Sequence, residues 1–262
     1  MNLEIISRTP EIDKHPVPLL FVHGAWHGAW CWEEYFLPYF ASKGYTAHAL
    51  SLRGHGGSPG GEHLRWTRIS DYVDDVAQVA DAMETPPVVI GHSMGGLVVQ
   101  KYLETHHAPA AVLLASVPPA GALRTALSIA RRHPWAFLKA NFSLSLYPVI
   151  GTPKLAREAF FAENISTEKL AGHFERLQNE SYRAFLDMLF FNLPKPERVS
   201  TNILVLGAEK DTIFTPYEIE ATAKAYRAAP EIWAGMAHDM MLEDSWQSVA
   251  DRIIEWLDHR GL

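Results

Sequence analysis

The chain has 262 residues, of which 48% are hydrophobic and 20% are charged, and its formal net charge is −7. This composition is typical of a globular protein and excludes a disordered tail, a collagen-like repeat and a disulfide-stapled miniprotein. The acidic balance argues against nucleic acid or an anionic membrane as the main partner. The single cysteine, Cys31, leaves no internal disulfide.

No targeting or membrane segment is predicted. The N-terminal residues lack the basic region and apolar region of a secretory signal. The longest uncharged stretch lies between His107 and Arg124 and contains three prolines. It falls short of the roughly 18 apolar residues of a membrane span. The expected compartment is therefore the cytoplasm.

Short apolar segments alternate with helical patterns along the chain. Several of these segments are nearly continuous and β-branched, as expected for strands that are covered on both faces. The alternation predicts an α/β fold, with a mostly parallel sheet and helices on both sides. The predicted strands are residues 17–22, 45–52, 88–90, 111–117, 203–206 and 231–233, with 3–8 as an edge strand.

Two helices are recognisable from spacing and end signals. Ser70 is the predicted N-cap of the first, with Asp71 in its first turn. A broad apolar stripe predicts the helix that closes the chain. This stripe consists of Trp246, Val249, Ala250, Ile253, Ile254 and Leu257.

The alternation stops between residues 120 and 196, where no strand pattern is found and aromatic residues are frequent. Proline pairs flank this stretch, at Pro118-Pro119 and around Pro194 and Pro196. We predict a helical cap inserted into a core of residues 1–119 and 197–262. Most of the aromatic side chains would hold the insertion together, and some would face the sheet and line a pocket.

The most specific motif is Gly91-His92-Ser93-Met94-Gly95, which follows a predicted strand and precedes a helical pattern. This context is that of a nucleophile elbow, in which the serine stands at a strained, sharp turn. Side chains two positions away on either side would collide, and glycine removes them. Ser93 is therefore the candidate nucleophile.

A serine hydroxyl needs a base that is itself oriented by an acid. In this architecture the chain order is serine, acid, histidine. Asp211 follows a buried strand and is the candidate acid, since open α/β folds form their sites at the carboxyl ends of strands. Glu209 is the nearest competitor, and Asp187 lies inside the insertion.

Only two histidines follow Asp211 in the chain. His238 lies in the loop after the last predicted strand and is the candidate base. His259 lies three residues from the end, after a long helix, and is expected to be solvated.

An oxyanion hole requires two backbone N–H groups that point at the developing negative charge. Met94, the residue after the nucleophile, supplies one. The loop after the strand 17–22 supplies the other, with Ala25 as the candidate and Trp26 as the runner-up. His23 is expected to hold this loop by hydrogen bonds.

Taken in order, His23-Gly24, the elbow around Ser93, Asp211 and His238 resemble the α/β-hydrolase family. The resemblance covers nearly the whole chain, and the family carries its cap between its sixth and seventh strands, where the insertion lies. The segment 53–58 also resembles a family loop, although Ser51 stands where that loop usually has an aspartate.

The segment 23–32 is similar to the opening of the plant methylesterase and hydroxynitrile lyase subgroup. The lyases carry a threonine where this chain has Gly24, and a lysine where it has Asp239. Both departures favour the esterase interpretation over cyanohydrin cleavage. Ser93 at the elbow also disfavours the relatives that use an aspartate nucleophile.

These observations predict a serine hydrolase of carboxylesterase or lipase type, which acts on small to medium apolar esters through an acyl-enzyme. The alternatives are a cofactor-free lyase, oxygenase or C–C hydrolase that uses His238 as base, or a receptor-like ligand-binding relative. His23 with His27, and His106 with His107, have ligand-like spacing but lack a nearby Cys or carboxylate cluster. No metal and no cofactor are expected, and the expected partner is a small-molecule ester.

Overall fold

The computed structural model describes residues 1–12 and 15–262, which fold around a seven-stranded sheet. The strand order is β1-β3-β2-β4-β5-β6-β7. Strand β1 is antiparallel to β3, and all other neighbours are parallel. The strands are β1 Ile5–Arg8, β2 Leu19–Val22, β3 Ala47–Leu50, β4 Val88–His92, β5 Ala111–Leu114, β6 Ile203–Ala208 and β7 Pro230–Trp233.

The predicted α/β class is confirmed, and the strands differ from the prediction only at their ends. Strand β5 ends at Leu114 rather than at residue 117, because Ala115 adopts a φ of +44° and leaves the strand. Strands β4 and β6 each continue two residues further than predicted. Strand β2 begins after Pro18, which has no N–H to donate to a neighbouring strand.

Helices cover both faces of the sheet. They are α1 Trp30–Glu33, α2 Phe36–Ser42, α3 Ile69–Asp81, α4 Met94–Tyr102, α5 Leu123–Arg132, α6 Pro134–Ser143, α7 Pro153–Phe160, α8 Thr167–Arg176, α9 Tyr182–Leu186, α10 Pro216–Ala225 and α11 Trp246–Asp258. Shorter helical turns occur at Gly61–Trp66, Tyr147–Val149, Asp187–Phe191 and Pro196–Arg198. In the described residues no helix is long and apolar enough to cross a membrane.

Alternate residues of the strands β2 to β6 pack into two separate cores, one on each side of the sheet. In β2, Leu19 and Phe21 pack with the aromatic side chains of α1 and α2, whereas Leu20 and Val22 pack with α3 and α4. This alternation is the two-residue period of a strand, and both of its faces are buried.

The N-cap of α3 differs from the prediction. The cap residue is Arg68, and its backbone N–H donates to Asp71 Oδ2 at 2.7 Å. The predicted cap, Ser70, therefore lies inside the first turn. The helix that closes the chain begins at Trp246, as its apolar stripe indicates.

The segment 120–196 lies between β5 and β6 of this chain and contains helices α5 to α9. Its aromatic residues are distributed unevenly. Phe160 is buried beneath the surface, whereas Trp135 and Phe142 are 82% and 86% exposed. We refer to residues 120–196 as the helical segment.

Candidate active site

Ser93 occupies the sharp turn between β4 and α4, with a φ of +53° and a ψ of −119°. The turn is possible because glycines flank it. A Cβ on Gly91 would lie 2.5 Å from the carbonyl oxygen of Gly95, and one on Gly95 would lie 2.4 Å from that of Val22. A φ this far into the positive region is strained for serine. The backbone therefore holds Ser93 at the end of a buried strand.

The predicted acid and base are bonded to each other. His238 Nδ1 lies 2.7 Å from Asp211 Oδ2, and both side chains are buried. The second oxygen of Asp211 accepts the N–H groups of Ile213 at 2.7 Å and Phe214 at 3.0 Å. These bonds orient the carboxylate, which in turn holds the imidazole with Nδ1 as its donor.

The competing residues lie elsewhere. Glu209 accepts the N–H of Gly235 at 2.8 Å, and its side chain is 48% exposed. Asp187 is buried but accepts the N–H of Ile69 and pairs with Arg183. His259 is 73% exposed at the end of the chain.

The loop of His238 lies directly beside the elbow. His92, the residue before the serine, donates its Nε2–H to the carbonyl of His238 at 3.0 Å, and the two rings are 4.7 Å apart. In the described chain no hydrogen bond joins Ser93 Oγ to His238 Nε2. Catalytic hydrogen bonds are often long without substrate.

Burial and charge act in opposite directions on His238. Burial is the largest influence and lowers its pKa, but the charge and hydrogen bond of Asp211, with the charge of Asp239, raise the pKa above the usual 6.5. His92 Nε2 lies 3.7 Å from Asp239 Oδ1, whose charge raises the pKa of His92 but is outweighed. Burial and the charge of His238 lower its pKa to about 3, so it is neutral.

Two backbone N–H groups at this edge are available to an anion. Among the described residues, the N–H groups of Ala25 and Met94 donate to no acceptor. The runner-up, Trp26, differs because its N–H points at Glu180 Oε2 at 3.4 Å. The loop is close to the nucleophile, since a Cβ on Gly24 would lie 2.9 Å from Ser93 Cβ.

His23 holds this loop in the way the sequence suggests. Its Nδ1–H donates to the Gly24 carbonyl at 2.8 Å, and its Nε2 accepts the Leu52 N–H at 3.0 Å. An imidazole that both donates and accepts is neutral. In agreement, burial and the nearby His55 lower its pKa well below 6.5.

The sequence did not reveal that residues of the helical segment form hydrogen bonds with the loop of Ala25 and Trp26. Gln178 donates its backbone N–H to the Trp26 carbonyl at 3.0 Å. Glu180, which is buried, accepts from Tyr72 at 2.7 Å and lies 3.0 Å from His55 Nε2. No spacing rule in the sequence links residues so far apart.

A second buried pair was also missed. His27 Nε2 lies 3.0 Å from Asp239 Oδ2, and His27 Nδ1 lies 2.8 Å from the Ala25 carbonyl. Both ring nitrogens of His27 therefore already have a hydrogen-bond partner. Burial favours a neutral Asp239, but the charge and hydrogen bond of His27 lower the pKa of Asp239 below its usual value. We call this arrangement the closed pair.

The unusual Ser51 has a clear structural setting. Its Oγ donates to Glu4 Oε2 at 2.6 Å and accepts the Ala29 N–H at 2.8 Å. Glu4 also accepts the N–H of Gly57 at 3.0 Å. A carboxylate from the start of the chain therefore reaches the loop in which the family usually carries an aspartate.

A small apolar cavity lies beside the loop. Its volume is about 60 Å³, and it lies between Ala25 and Trp26 on one side and Phe137, Leu146 and Phe185 of the helical segment on the other. Larger surface clefts have volumes of about 550 to 710 Å³. Neither these clefts nor the small cavity is lined by Ser93, Asp211 or His238, but of these only the small cavity is lined by Ala25, the candidate oxyanion donor. Its position beside Ala25, rather than its size, therefore favours the small cavity as the site for part of a substrate.

One group among the described residues could bring three metal-binding atoms together. His92, His238 and Asp239 place such atoms within 4.8 Å of one another. Neither of the histidine pairs with ligand-like spacing is part of it. An ion there would bind the imidazole of His238, which Asp211 also holds. His238 could then not act as a base, so the two roles exclude each other.

Fold and site together define an α/β hydrolase. The model of the alpha/beta hydrolase family matches residues 19–252, and the chain belongs to this family.

Similar proteins include named hydrolases and esterases. The chain is 32% identical over 89 residues to a pyrethroid hydrolase of Sphingobium wenxiniae, an alignment that covers 34% of this chain and 31% of that protein. It is 30% identical over 96 residues to methyl jasmonate esterase 1 of Vitis vinifera, with 36% of each covered. The chain thus aligns with about a third of the length of these curated relatives.

Solved structures share the fold over the whole chain. The monoacylglycerol lipase of Paleococcus ferrophilus superposes with a TM-score of 0.74, and the alignment covers 99% of this chain and 100% of that one. At 21% identity this likeness shows the fold alone.

Proposed function

We propose that the protein hydrolyses carboxylic esters, with Ser93 as nucleophile, His238 as general base and Asp211 as the residue that orients the base. The observation that carries this proposal is the hydrogen bond of 2.7 Å between His238 Nδ1 and Asp211, formed next to the strained serine. This bond leaves Nε2, the other ring nitrogen, for the proton of the serine hydroxyl.

In the first half-reaction His238 Nε2 takes the proton of Ser93 Oγ while the oxygen attacks the ester carbonyl. The tetrahedral oxyanion accepts hydrogen bonds from the N–H groups of Ala25 and Met94. The C–O bond to the alcohol then breaks, and the alcohol leaves with the proton from His238.

In the second half-reaction water attacks the acyl-enzyme. His238 takes a proton from this water and returns it to Ser93 Oγ as the acid is released. Asp211 stays ionised throughout, and its charge stabilises the imidazolium that forms in each half-reaction.

The size of the cavity supports a short apolar group on the ester. About 60 Å³ is far below the 300–1,000 Å³ of pockets for drug-sized ligands. Because one wall belongs to the helical segment, we propose that residues 120–196 act as a cap on the core formed by 1–119 and 197–262. The names of the esterase relatives agree with ester hydrolysis.

The experiment compares wild-type protein with Ser93→Ala on p-nitrophenyl esters of increasing acyl length. We expect activity that is highest for short acyl chains and a loss of kcat on the order of 10⁶ in the variant. Ser42→Ala, on an exposed serine of α2, is the matched control and should keep full activity.

Activity that persists in Ser93→Ala would contradict the proposal and favour a lyase or oxygenase that uses His238 alone. Slow turnover with tight retention of one product would instead favour a receptor-like role.

A further inference from the structure

Three neighbouring elements of the helical segment expose large apolar side chains. Trp135, Leu138 and Phe142 lie three and four residues apart, on one side of α6, and are 82%, 44% and 86% exposed. Leu127 of α5 is 49% exposed, and Phe190 and Phe191 of the turn Asp187–Phe191 are 57% and 66% exposed. We call these six side chains the outer face.

The opposite side of the same elements is used by the fold. Ile129 of α5 and Phe137 of α6 line the cavity beside Ala25. The exposed side chains are therefore additional to those that hold the helices on the protein. A cluster of large exposed apolar residues on a soluble fold marks an interaction surface.

The stretch of chain that carries α5 and α6 has charged side chains of one sign. No aspartate or glutamate occurs between Glu104 and Glu158, although the chain has 30 of them, and this stretch contains six arginines and lysines. Arg131 and Lys139 are exposed and form no ion pair within the described residues. Glu158, at the edge of the stretch, is bonded to Arg132 and His133.

We propose that the outer face docks on an anionic lipid surface. Tryptophan and phenylalanine suit the boundary between headgroups and acyl chains, and the flanking cations attract anionic headgroups. The net charge of −7 is a sum over the whole chain and does not describe this surface. Residues 105–157, which carry four of the six outer-face side chains, contain no carboxylate.

A second copy of the chain fits this surface less well. A twofold contact would bring Arg131 and Lys139 of both copies to the same interface, with no carboxylate from this stretch to oppose them. Lipid headgroups supply the missing negative charge.

Docking would also place the cavity close to esters that are dissolved in the lipid. This second part rests on the proposed ester hydrolysis, because it requires Ser93 to act on the delivered substrate. The docking itself does not depend on catalysis.

The test is flotation of the full chain with vesicles of phosphatidylcholine, with and without 30% phosphatidylglycerol. The wild type should float with the anionic vesicles and lose most of its binding without them. Trp135→Ser with Phe142→Ser, and separately Arg131→Glu with Lys139→Glu, should each lower the bound fraction about tenfold or more.

Matched controls carry the same kinds of substitution elsewhere on the surface. Trp66→Ser replaces a tryptophan that is 60% exposed outside the outer face, and Lys43→Glu with Lys224→Glu makes the same change of charge. Both should bind vesicles within about twofold of the wild type, because neither alters the outer face.

Absence of flotation, or equal flotation with both vesicle types, would overturn the proposal. Self-association in sedimentation velocity that disappears in Trp135→Ser with Phe142→Ser would assign the face to a second copy instead. The four altered proteins should keep their activity on dissolved p-nitrophenyl acetate. A wild type that floats but hydrolyses no ester would overturn the proposed function and leave the docking standing.

Discussion

Two buried histidine–aspartate pairs lie at the same edge of the sheet, and adjacent residues contribute to them. Asp211 and His238 are joined at 2.7 Å, and Asp239 and His27 at 3.0 Å. In the first, Asp211 occupies one ring nitrogen and the other stays open. In the second, a carboxylate and the Ala25 carbonyl occupy both nitrogens.

The difference shows that burial and a carboxylate partner do not by themselves make a catalytic histidine. Both nitrogens of His27 already have hydrogen-bond partners, so neither is open to a serine hydroxyl or a water molecule. His27 can only hold its partners, and one of them is the peptide group next to the Ala25 N–H. Asp211 and His238, which we call the open pair, are suited to proton transfer, and the closed pair is suited to positioning the loop that carries the Ala25 N–H.

The strongest test of this comparison removes the open pair's base. His238→Ala should lower kcat on a p-nitrophenyl ester by an order of about 10⁶, because the serine loses its proton acceptor. His27→Ala should lower kcat by only about 10²–10³, the effect of a misplaced oxyanion donor. Both are measured in steady state against the wild type. Equal losses in the two variants would contradict the distinction between the pairs.

The next effect comes from the acid of the open pair. Asp211→Asn should lower kcat by about 10⁴, because the amide no longer stabilises the correct tautomer and the imidazolium. It also removes the main influence that raises the pKa of His238 above 6.5. Since the base must be neutral to act, wild-type kcat/KM should rise through a pH above 6.5, and the variant's rise should move to lower pH. An unchanged pH profile would exclude Asp211 as the partner.

The smallest effect on catalysis is expected in the closed pair. Asp239→Asn should lower kcat about 10–100-fold and shift the pH profile downward less than Asp211→Asn, because Asp239 is a lesser influence on His238. It should reduce the free energy of unfolding by about 3–5 kcal/mol, since it leaves His27 buried without its anion. Chemical denaturation measures this loss.

The pH dependence of the stability lost in Asp239→Asn provides a control. The pKa of Asp239 is lowered in the folded state, so its contribution is present above about pH 3.8 and is lost as the pH falls through the lowered value. A difference between wild type and Asp239→Asn that grows toward low pH would contradict this assignment.

The fold class and the strand–turn–helix around Ser93 were predictable because they depend on short-range rules. Apolar runs reveal buried strands, and the elbow needs glycines at Gly91 and Gly95 for steric reasons. The acid and base could be nominated from chain order, because parallel strands bring their carboxyl ends to one edge. Their roles in catalysis stay predictions.

The errors also have local causes. Ser70 is a good N-cap residue, but the cap of α3 lies two residues earlier, at Arg68, because Asp71 accepts the Arg68 N–H. Strand β5 ends early because Ala115 turns into the positive φ region, a change that alanine does not signal.

The sequence alone determined the layered α/β architecture and the candidates Ser93, Asp211 and His238. Tertiary structure decided which other polar residues support them. His27 meets Asp239 across 212 positions, and Glu180 meets Trp26 across 154. Such bonds follow no periodic pattern. They arise because folding removes these polar groups from water, so each must find a partner among whatever residues the fold brings near.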